Sequence, residues 1–335
     1  MKKKFLLFFL IGLSLYLILN VNTIKFHKNL SFTNTNSTPK VTKIIRIGHQ
    51  PHGTFLFLKI SKNLEKRLAP LGYSVEWTQF PAGPPILAAL GEGKIDMGYV
   101  GVVPAVFAQA NDIPFVYIGY DPSSPDSMGI LVRQNSSIKT LADLKGKKIT
   151  ATSKTASHYF LIRALIKAGL SLNDVEFVDL SPLEGQEAFK QEKVDAWIGW
   201  QPYLTELQET MSVNLLTTNS QGLMNDKNFY IASRSFSNNQ AELIRIIMDE
   251  SRQIGRWAIE NPEDAAKIIS SNTTMKQNIA LKLTQSRRFE ALPVEDRAVE
   301  EQQRIAETFY RLGFLPKRIW VEDIVWKQPL NNWGE

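Results

Sequence analysis

Apolar and polar positions along the chain follow two periods that alternate with one another. Residues 43–48 (KIIRIG) form a short β-branched run that reads as a buried strand. From 54 to 68 the apolar residues Phe57, Ile60, Leu64 and Leu68 recur at helical spacing, and residues 74–80 (SVEWTQF) alternate as a strand does. Residues 84–90 begin with prolines, which suit a first helical turn; 95–100 is a strand, 103–110 a helix and 114–119 a strand. This order predicts parallel pairing in one sheet with helices on both faces. A second unit starts at 128–132 (MGILV). It continues as strand 148–151, helix 157–168, strand 175–180, helix 184–191, strand 194–198, helix 203–209 and strand 228–232 (NFYIA). Beyond it the pattern is helical, at 241–260, 262–270, 276–286 and 294–312.

The two units mirror one another. Lys94-Ile95-Asp96 leads through an apolar strand to Pro104, and Lys193-Val194-Asp195 leads likewise to Pro202. Repeated wiring predicts an α/β protein of two lobes, and 335 residues suffice for two such units. A protein of that kind takes its ligand at the carboxyl ends of its strands, between the lobes.

Ahead of the body stands a different kind of sequence. Lys2, Lys3 and Lys4 precede residues 5–19, an apolar run broken only by Gly12 and Ser14. A positive start followed by a short apolar stretch is the pattern of an export signal. No small-x-small cleavage site follows, so residues 1–24 are either a signal peptide or an uncleaved anchor, a tether through residues 5–24. Both put the body outside the cytoplasmic membrane. Residues 25–41 read as a solvated linker rich in Asn, Ser and Thr. The net charge of +6 belongs to this leader. Seven of the 39 Lys and Arg residues lie in 1–43 with no acid, leaving 32 basic against 33 acidic residues in the body. The body therefore has no charge pattern for nucleic acid.

Cysteine is absent, which excludes disulfides, thiolate metal sites, a Cys nucleophile and a lipidated Cys. There is no G-x-S-x-G elbow and no phosphate-binding glycine loop. His49 and His52 have metal-ligand spacing, but no acid joins them in sequence, and ordinary hydrogen-bonded loop histidines are the reading. No metal and no cofactor is expected. What the strand ends offer is hydrogen-bond donors. Gln50, Gly53 and Thr54 precede one helix, Gly83 and Pro84 open the next, Gly101 follows a strand, and Thr155, Ala156, Ser157 and His158 open a helix of the second unit. Helix starts expose unpaired N–H groups and a partial positive charge. Several converging on one cleft make an anion site without a formal cation. Thr155 or Ser157 is also a candidate N-cap. Trp200, at a strand end, is a candidate cleft wall, with Phe55 and Tyr230 as weaker ones.

From residue 44 to 203 the chain resembles the periplasmic aliphatic-sulfonate-binding proteins of ABC importers, and more distantly the taurine-binding proteins. The matching stretches are FPAGPPILAAL (80–90), GKIDMGYVGVVPAVFAQA (93–110), ILVRQNSSIKTLADLKGKKI (130–149), TASHYFLIRALIKAGL (155–170) and AFKQEKVDAWIGWQPY (188–203). FYIASRSF (229–236) and FYRLGFLPKRI (309–319) extend the similarity almost to the end. The resemblance implies a periplasmic-binding-protein type II fold, two α/β lobes joined by two crossing strands. Lobe one would be residues 42–127 plus 230–335, and lobe two 128–229. It also implies a small sulfonate anion as ligand, a permease and an ATPase as partners, a monomeric state and no catalysis. Sulfonate oxygens would meet donors around Gly83, Gly101 and Thr155 to His158, with Trp200 lining the cleft.

Two positions depart from relatives. Trp200-Gln201-Pro202 stands where many have W-D-P, and Val102 stands where a polar residue is usual. Read as cleft positions, Gln201 removes a negative charge and Val102 makes the wall apolar. The expectation is a preference for an alkyl or aryl sulfonate over taurine. Other receptor ligands (nitrate, bicarbonate, a thiamine precursor), an enzyme on the same fold and a sensor ectodomain are the competing readings.

Overall fold

The structure, a computed structural model, describes residues 43–327. The expected export segment 1–24 and linker 25–41 lie outside the described residues. Lys43–His49 (β1) is followed by Thr54–Ser61 (α1) and Asn63–Leu68 (α2), then Tyr73–Gln79 (β2), Gly83–Gly91 (α3), Met97–Gly101 (β3), Val102–Ala110 (α4) and Phe115–Asp121 (β4). Met128–Arg133 (β5) leads to Lys148–Ala151 (β6), Ala156–Lys167 (α5), Glu176–Asp179 (β7) and Pro182–Lys190 (α6). Ala196–Trp200 (β8), Tyr203–Thr210 (α7) and Val213–Thr218 (β9) complete this unit. Asn228–Ser233 (β10) precedes Arg234–Asn239 (α8), Ala241–Glu260 (α9), Pro262–Asn272 (α10), Gln277–Ser286 (α11) and Asp296–Arg311 (α12).

The strands form two five-stranded sheets, ordered β2-β1-β3-β10-β4 and β7-β6-β8-β5-β9. Only three strands of each run parallel: β2, β1 and β3, and β7, β6 and β8. The all-parallel expectation is therefore corrected. Strand β10 pairs antiparallel with both β3 and β4, and β5 does the same with β8 and β9. In the first sheet β10 arrives from a distant part of the chain, and in the second β5, its first strand in chain order, is inserted between β8 and β9; a local reading of strand–helix order cannot see either.

The repeated K-[IV]-D word has a physical basis. Asp96 N–H donates to the Arg46 carbonyl at 2.8 Å, and Arg46 N–H donates back to Asp96 Oδ2 at 2.8 Å. In the other lobe Asp195 N–H donates to the Lys148 carbonyl at 2.7 Å, and Lys148 N–H donates to Asp195 Oδ2 at 2.8 Å. The same carboxylate locks the third strand of each sheet to the first.

Local differences have local causes. The helix expected over 54–68 breaks at Lys62, whose φ of 58° is left-handed. Strand β9 was not expected, because this outer strand leaves Asn214 and Leu215 exposed and shows no clean alternation. The short helix α8 carries few apolar residues and gives no periodic signal either.

Beneath the first sheet's carboxyl end lies an aromatic layer. Phe55 and Tyr230 are fully buried within it, with ring centroids 5.2 Å apart, so neither is a cleft wall. Its polar centre is Asp121. The Asp121 carboxylate accepts from Thr54 Oγ1 (2.9 Å), Tyr99 OH (2.6 Å), Tyr230 OH (3.0 Å) and Ala291 N–H (2.8 Å). Burial raises its carboxyl above the usual carboxylate range, against the pull of these donors. Four segments remote in sequence thus meet on one side chain.

The lobes touch beside the crossing strands. His158 of α5 packs on Phe309 and Phe314 at 5.4 and 4.9 Å, Lys227 pairs with Glu301 of α12, and Glu209 of α7 accepts from Asn278 and Lys282 of α11.

Asp121→Ala leaves four buried donors without an acceptor. It should cost on the order of 3–5 kcal/mol of stability. Urea denaturation checks this, and a loss below 1 kcal/mol would remove the hub from the account.

Candidate ligand-binding site

The carboxyl ends of the two sheets face a cavity of about 60 Å³, room for roughly four water-sized positions. Its wall combines Gln50, His52, Ala82, Gly83, Pro84, Gly101 and Pro104 with Met128, Thr155, Ala156, Trp200, Asp226, Asn228 and Arg287. Of the residues expected from sequence, Gln50, Gly83, Pro84, Gly101, Thr155, Ala156 and Trp200 come together here.

Six others do not line it, and each has a reason. Gly53 is a backbone requirement: its φ is 93°, and a Cβ there would stand 2.7 Å from the Tyr99 ring. Thr54 turns inward to Asp121. Val102 is buried in the apolar core, and its carbonyl accepts from Gln302 Nε2 at 2.6 Å. Ser157 Oγ accepts from Thr152 N–H at 3.1 Å. His158 lies stacked on Phe177, with ring centroids 5.1 Å apart and planes 4° from parallel. Gln201 uses its Oε1 to accept from Thr205 N–H at 3.3 Å. Val102 and Gln201 therefore do not set the polarity of the wall, and the reasons they gave against taurine lapse.

Three helices point their starts at the cavity. Helices α3, α4 and α5 begin at Gly83, Val102 and Ala156, and no side chain caps any of them. Thr155 occupies the N-cap position of α5 but donates to the Thr152 carbonyl at 2.6 Å, so it does not serve as the cap. Pro84 and Pro85 carry no N–H, which leaves Gly83 as the one amide donor among the first three positions of α3. The helix starts alone are thus a thinner donor set than their number suggests.

Arg287 changes that balance, and the expectation of a site without a formal cation is corrected. Its side chain is buried, with 8% of the residue exposed, and lines the cavity. Nε is shut away from solvent with no partner, and the guanidinium makes no hydrogen bond or ion pair with any described residue. The backbone around it is fixed. Arg287 N–H donates to the Leu283 carbonyl, Arg288 N–H to Ser124 Oγ at 3.3 Å, and Ala291 N–H to Asp121. His52 is its neighbour. Burial and the Arg287 charge push the His52 imidazole down to about 3, so it is neutral at physiological pH, and its Nδ1 has no partner. A buried guanidinium, a neutral imidazole, a Gln50 amide that spends one N–H on the Tyr99 carbonyl at 3.2 Å, and amide N–H groups are the donor chemistry of a small-anion site. Asp226 stands in the same wall, with Ser127 Oγ donating to its Oδ2 at 3.0 Å; burial pushes its carboxyl up, and the Arg287 charge opposes this.

Sequence reasoning missed Arg287, Asp226, His52 and Asn228 as wall residues. Asn228 sits at the start of a predicted strand and could have been found by the strand-end rule. His52 lies between Gln50 and Gly53, two of the residues the sequence pointed to. Arg287, just after the last residue of a predicted helix, carried no signal in the strand–helix pattern.

The histidines do not make a metal pair. His49 Nδ1 sits 2.8 Å from the Gln50 carbonyl and Nε2 lies 3.3 Å from Lys59 Nζ, so both ring nitrogens are engaged. Among the described residues no group of three or more His, Cys, Asp or Glu side chains could hold a metal ion.

Two sheets joined by two chain crossings, around a cleft with anion donors, define the two-lobed solute-binding proteins. The model of the NMT1/THI5 like family matches residues 74–265. An aliphatic sulfonates-binding protein of Escherichia coli (strain K12) is 31% identical over 284 residues, covering 84% of this chain and 88% of that one. The crystal structure of the periplasmic aliphatic sulphonate binding protein SsuA from Escherichia coli superposes with a TM-score of 0.81 at 30% identity, covering 86% of this chain and 93% of that one. The alkanesulfonate-binding protein SsuA from Xanthomonas axonopodis pv. citri, bound to MOPS, gives 0.78 at 31% identity, covering 84% and 98%. The chain belongs to the NMT1/THI5-like family and, within it, to the aliphatic sulfonate-binding proteins.

Buried neutral histidines give the fold a pH signature. Burial pushes His158 down to about 4 and His52 to about 3, from 6.5. Below pH 6.5 the unfolded chain takes up these protons and the folded one does not, so stability falls as pH drops toward 4. Each such group adds a slope of about 1.4 kcal/mol per pH unit. Urea denaturation of the parent and His158→Phe at several pH values should give curves that converge as pH falls from 6.5 to 4. Parallel curves would contradict the assignment.

Proposed function

We propose that the protein is the extracytoplasmic receptor of an ABC importer and captures a sulfonate anion in the cleft between its lobes. The observation that carries this is the Arg287 guanidinium, buried and without a hydrogen bond or ion pair to any described residue, beside the starts of α3, α4 and α5. A buried charge is costly until it is paired. A sulfonate presents three oxygens to it, and Gly83 N–H, the α4 and α5 amides, Gln50 and neutral His52 are placed to share the remainder. Trp200 and Pro104 cover the apolar part of the ligand. The named relatives that bind sulfonates support the same ligand class. The protein acts by binding and release, not by catalysis.

Capture needs both lobes. Gly83, Gly101 and Arg287 belong with the first sheet, Thr155, Ala156 and Trp200 with the second, and β5 and β10 are the joints between them. Ligand that bridges the two sets favours the closed pair of lobes, and a permease would read that closed face. The partners are a membrane permease and an ATPase, and the receptor works as a monomer. The export segment at 1–24 delivers it to the outer side of the cytoplasmic membrane; left uncut, it keeps the receptor near the permease.

Calorimetry with 1-propanesulfonate tests this. The parent should bind, and Arg287→Gln should bind about 10- to 100-fold more weakly. Unchanged affinity in Arg287→Gln would overturn the role of Arg287.

A further inference from the structure

The segment that carries Arg287 crosses from α11 to α12 without a helix of its own. Two residues after Arg287 it meets α9. A Cβ added to Gly255 would overlap the Phe289 carbonyl oxygen outright, and would stand 2.9 Å from the Phe289 carbonyl carbon and 3.1 Å from Phe289 Cβ. Gly255 lies in the interior of a 20-residue helix, where glycine is unfavourable relative to alanine. It is not one of the glycines with positive φ, so the helix does not need glycine there for its own conformation. The approach of the Phe289 backbone does need it. Glycine recurs on the other side of the segment: a Cβ on Gly119 of β4 would stand 2.9 Å from the Leu292 carbonyl oxygen. Between these two points Ala291 takes a left-handed φ of 47°, and its N–H donates to Asp121 at 2.8 Å.

Helix α9 does not pack along the whole segment. Phe289, Glu290 and Leu292 line a second cavity, of about 300 Å³, together with Arg252, Arg256 and Ile259 of α9. Beside that open space, Gly255 is where helix and backbone meet. Resting on the reading of Arg287 as the partner of the anion, we infer that Gly255 is a positioning residue for the ligand site. It touches no ligand; by letting Phe289 lie against α9 it sets how far the guanidinium reaches into the cavity. An alanine there keeps the helix and moves the segment. The Phe289 carbonyl has to retreat until the new Cβ has ordinary contact, a displacement larger than the ~0.5 Å within which a recognition site must be held. Arg287 is two peptide units away, and its own N–H is tied to the Leu283 carbonyl at 3.2 Å, so the displacement is taken up where the guanidinium is carried.

The test is a double-mutant cycle read by calorimetry with 1-propanesulfonate. Gly255→Ala should bind about fivefold more weakly than the parent, or worse. In the Arg287→Gln background the same substitution should change the residual affinity by less than about twofold, because a residue that acts through Arg287 has nothing left to position. A glycine that serves only the packing of α9 would give the same loss in both backgrounds. That result, or unchanged affinity in Gly255→Ala, overturns the positioning role and leaves the role of Arg287 standing. Unchanged affinity in Arg287→Gln alone overturns the reading of Arg287 and this inference with it. Amide hydrogen exchange on the ligand-free parent needs no variant and decides the matter even if Gly255→Ala fails to fold. The N–H groups of Ala291 and Leu292 should be as protected as those in the middle of α9. Exchange at the rate of an open loop overturns the inference.

Discussion

A buried arginine side chain that makes no hydrogen bond or ion pair with any described residue is the constraint on which the rest of this structure depends. Transfer of such a charge costs several kcal/mol even after relaxation. The Asp226 carboxyl in the same wall feels that charge, and the backbone around Arg287 is held. Ser124 accepts from Arg288 N–H, Asp121 accepts from Ala291 N–H, and Leu292 exchanges two backbone hydrogen bonds with Tyr120. The backbone that carries the guanidinium is thus held beside the end of β4. Preorganisation of this kind keeps the cost out of the binding step.

The same bonds connect the site to the joints between the lobes. Asn219 Nδ2 donates to the Ser124 carbonyl and Asn219 Oδ1 accepts from Met128 N–H, while Ser127 donates to Asp226 just before β10. The segments that enter β5 and β10 are therefore tied to each other and to the loop that carries Arg287. Movement of one lobe about these strands would alter the distance between Arg287 and the start of α5. In the proposed receptor, closure and ligand capture would share this one set of hydrogen bonds.

The sequence made most of the fold legible because its signals are local. Strand periods, proline-started helices and the K-[IV]-D word each depend on neighbours within a dozen residues. Gly83, Gly101, Thr155 and Trp200 were readable for the same reason, since a strand end or a helix start fixes where a backbone lies. Side-chain direction was not readable. Thr54, Ser157 and His158 sit at helix starts as expected, yet Asp121, Thr152 and Phe177 hold them away from the cavity. The antiparallel insertion of β5 and β10 and the arrival of Arg287 and Asp226 are tertiary events between segments far apart in the chain. The resemblance to sulfonate-binding proteins supplied the crossing strands that periodicity could not, but its cleft positions 102 and 201 did not carry over to this wall.

A crystal structure of the protein grown with 1-propanesulfonate is the most direct measurement of the central claim. The account predicts the sulfonate between the Arg287 guanidinium and the amides at Gly83, Val102 and Ala156, with the two lobes closed over it. A sulfonate bound instead in the groove between α5 and α12, or in the cleft with Arg287 turned away from it, would contradict the account.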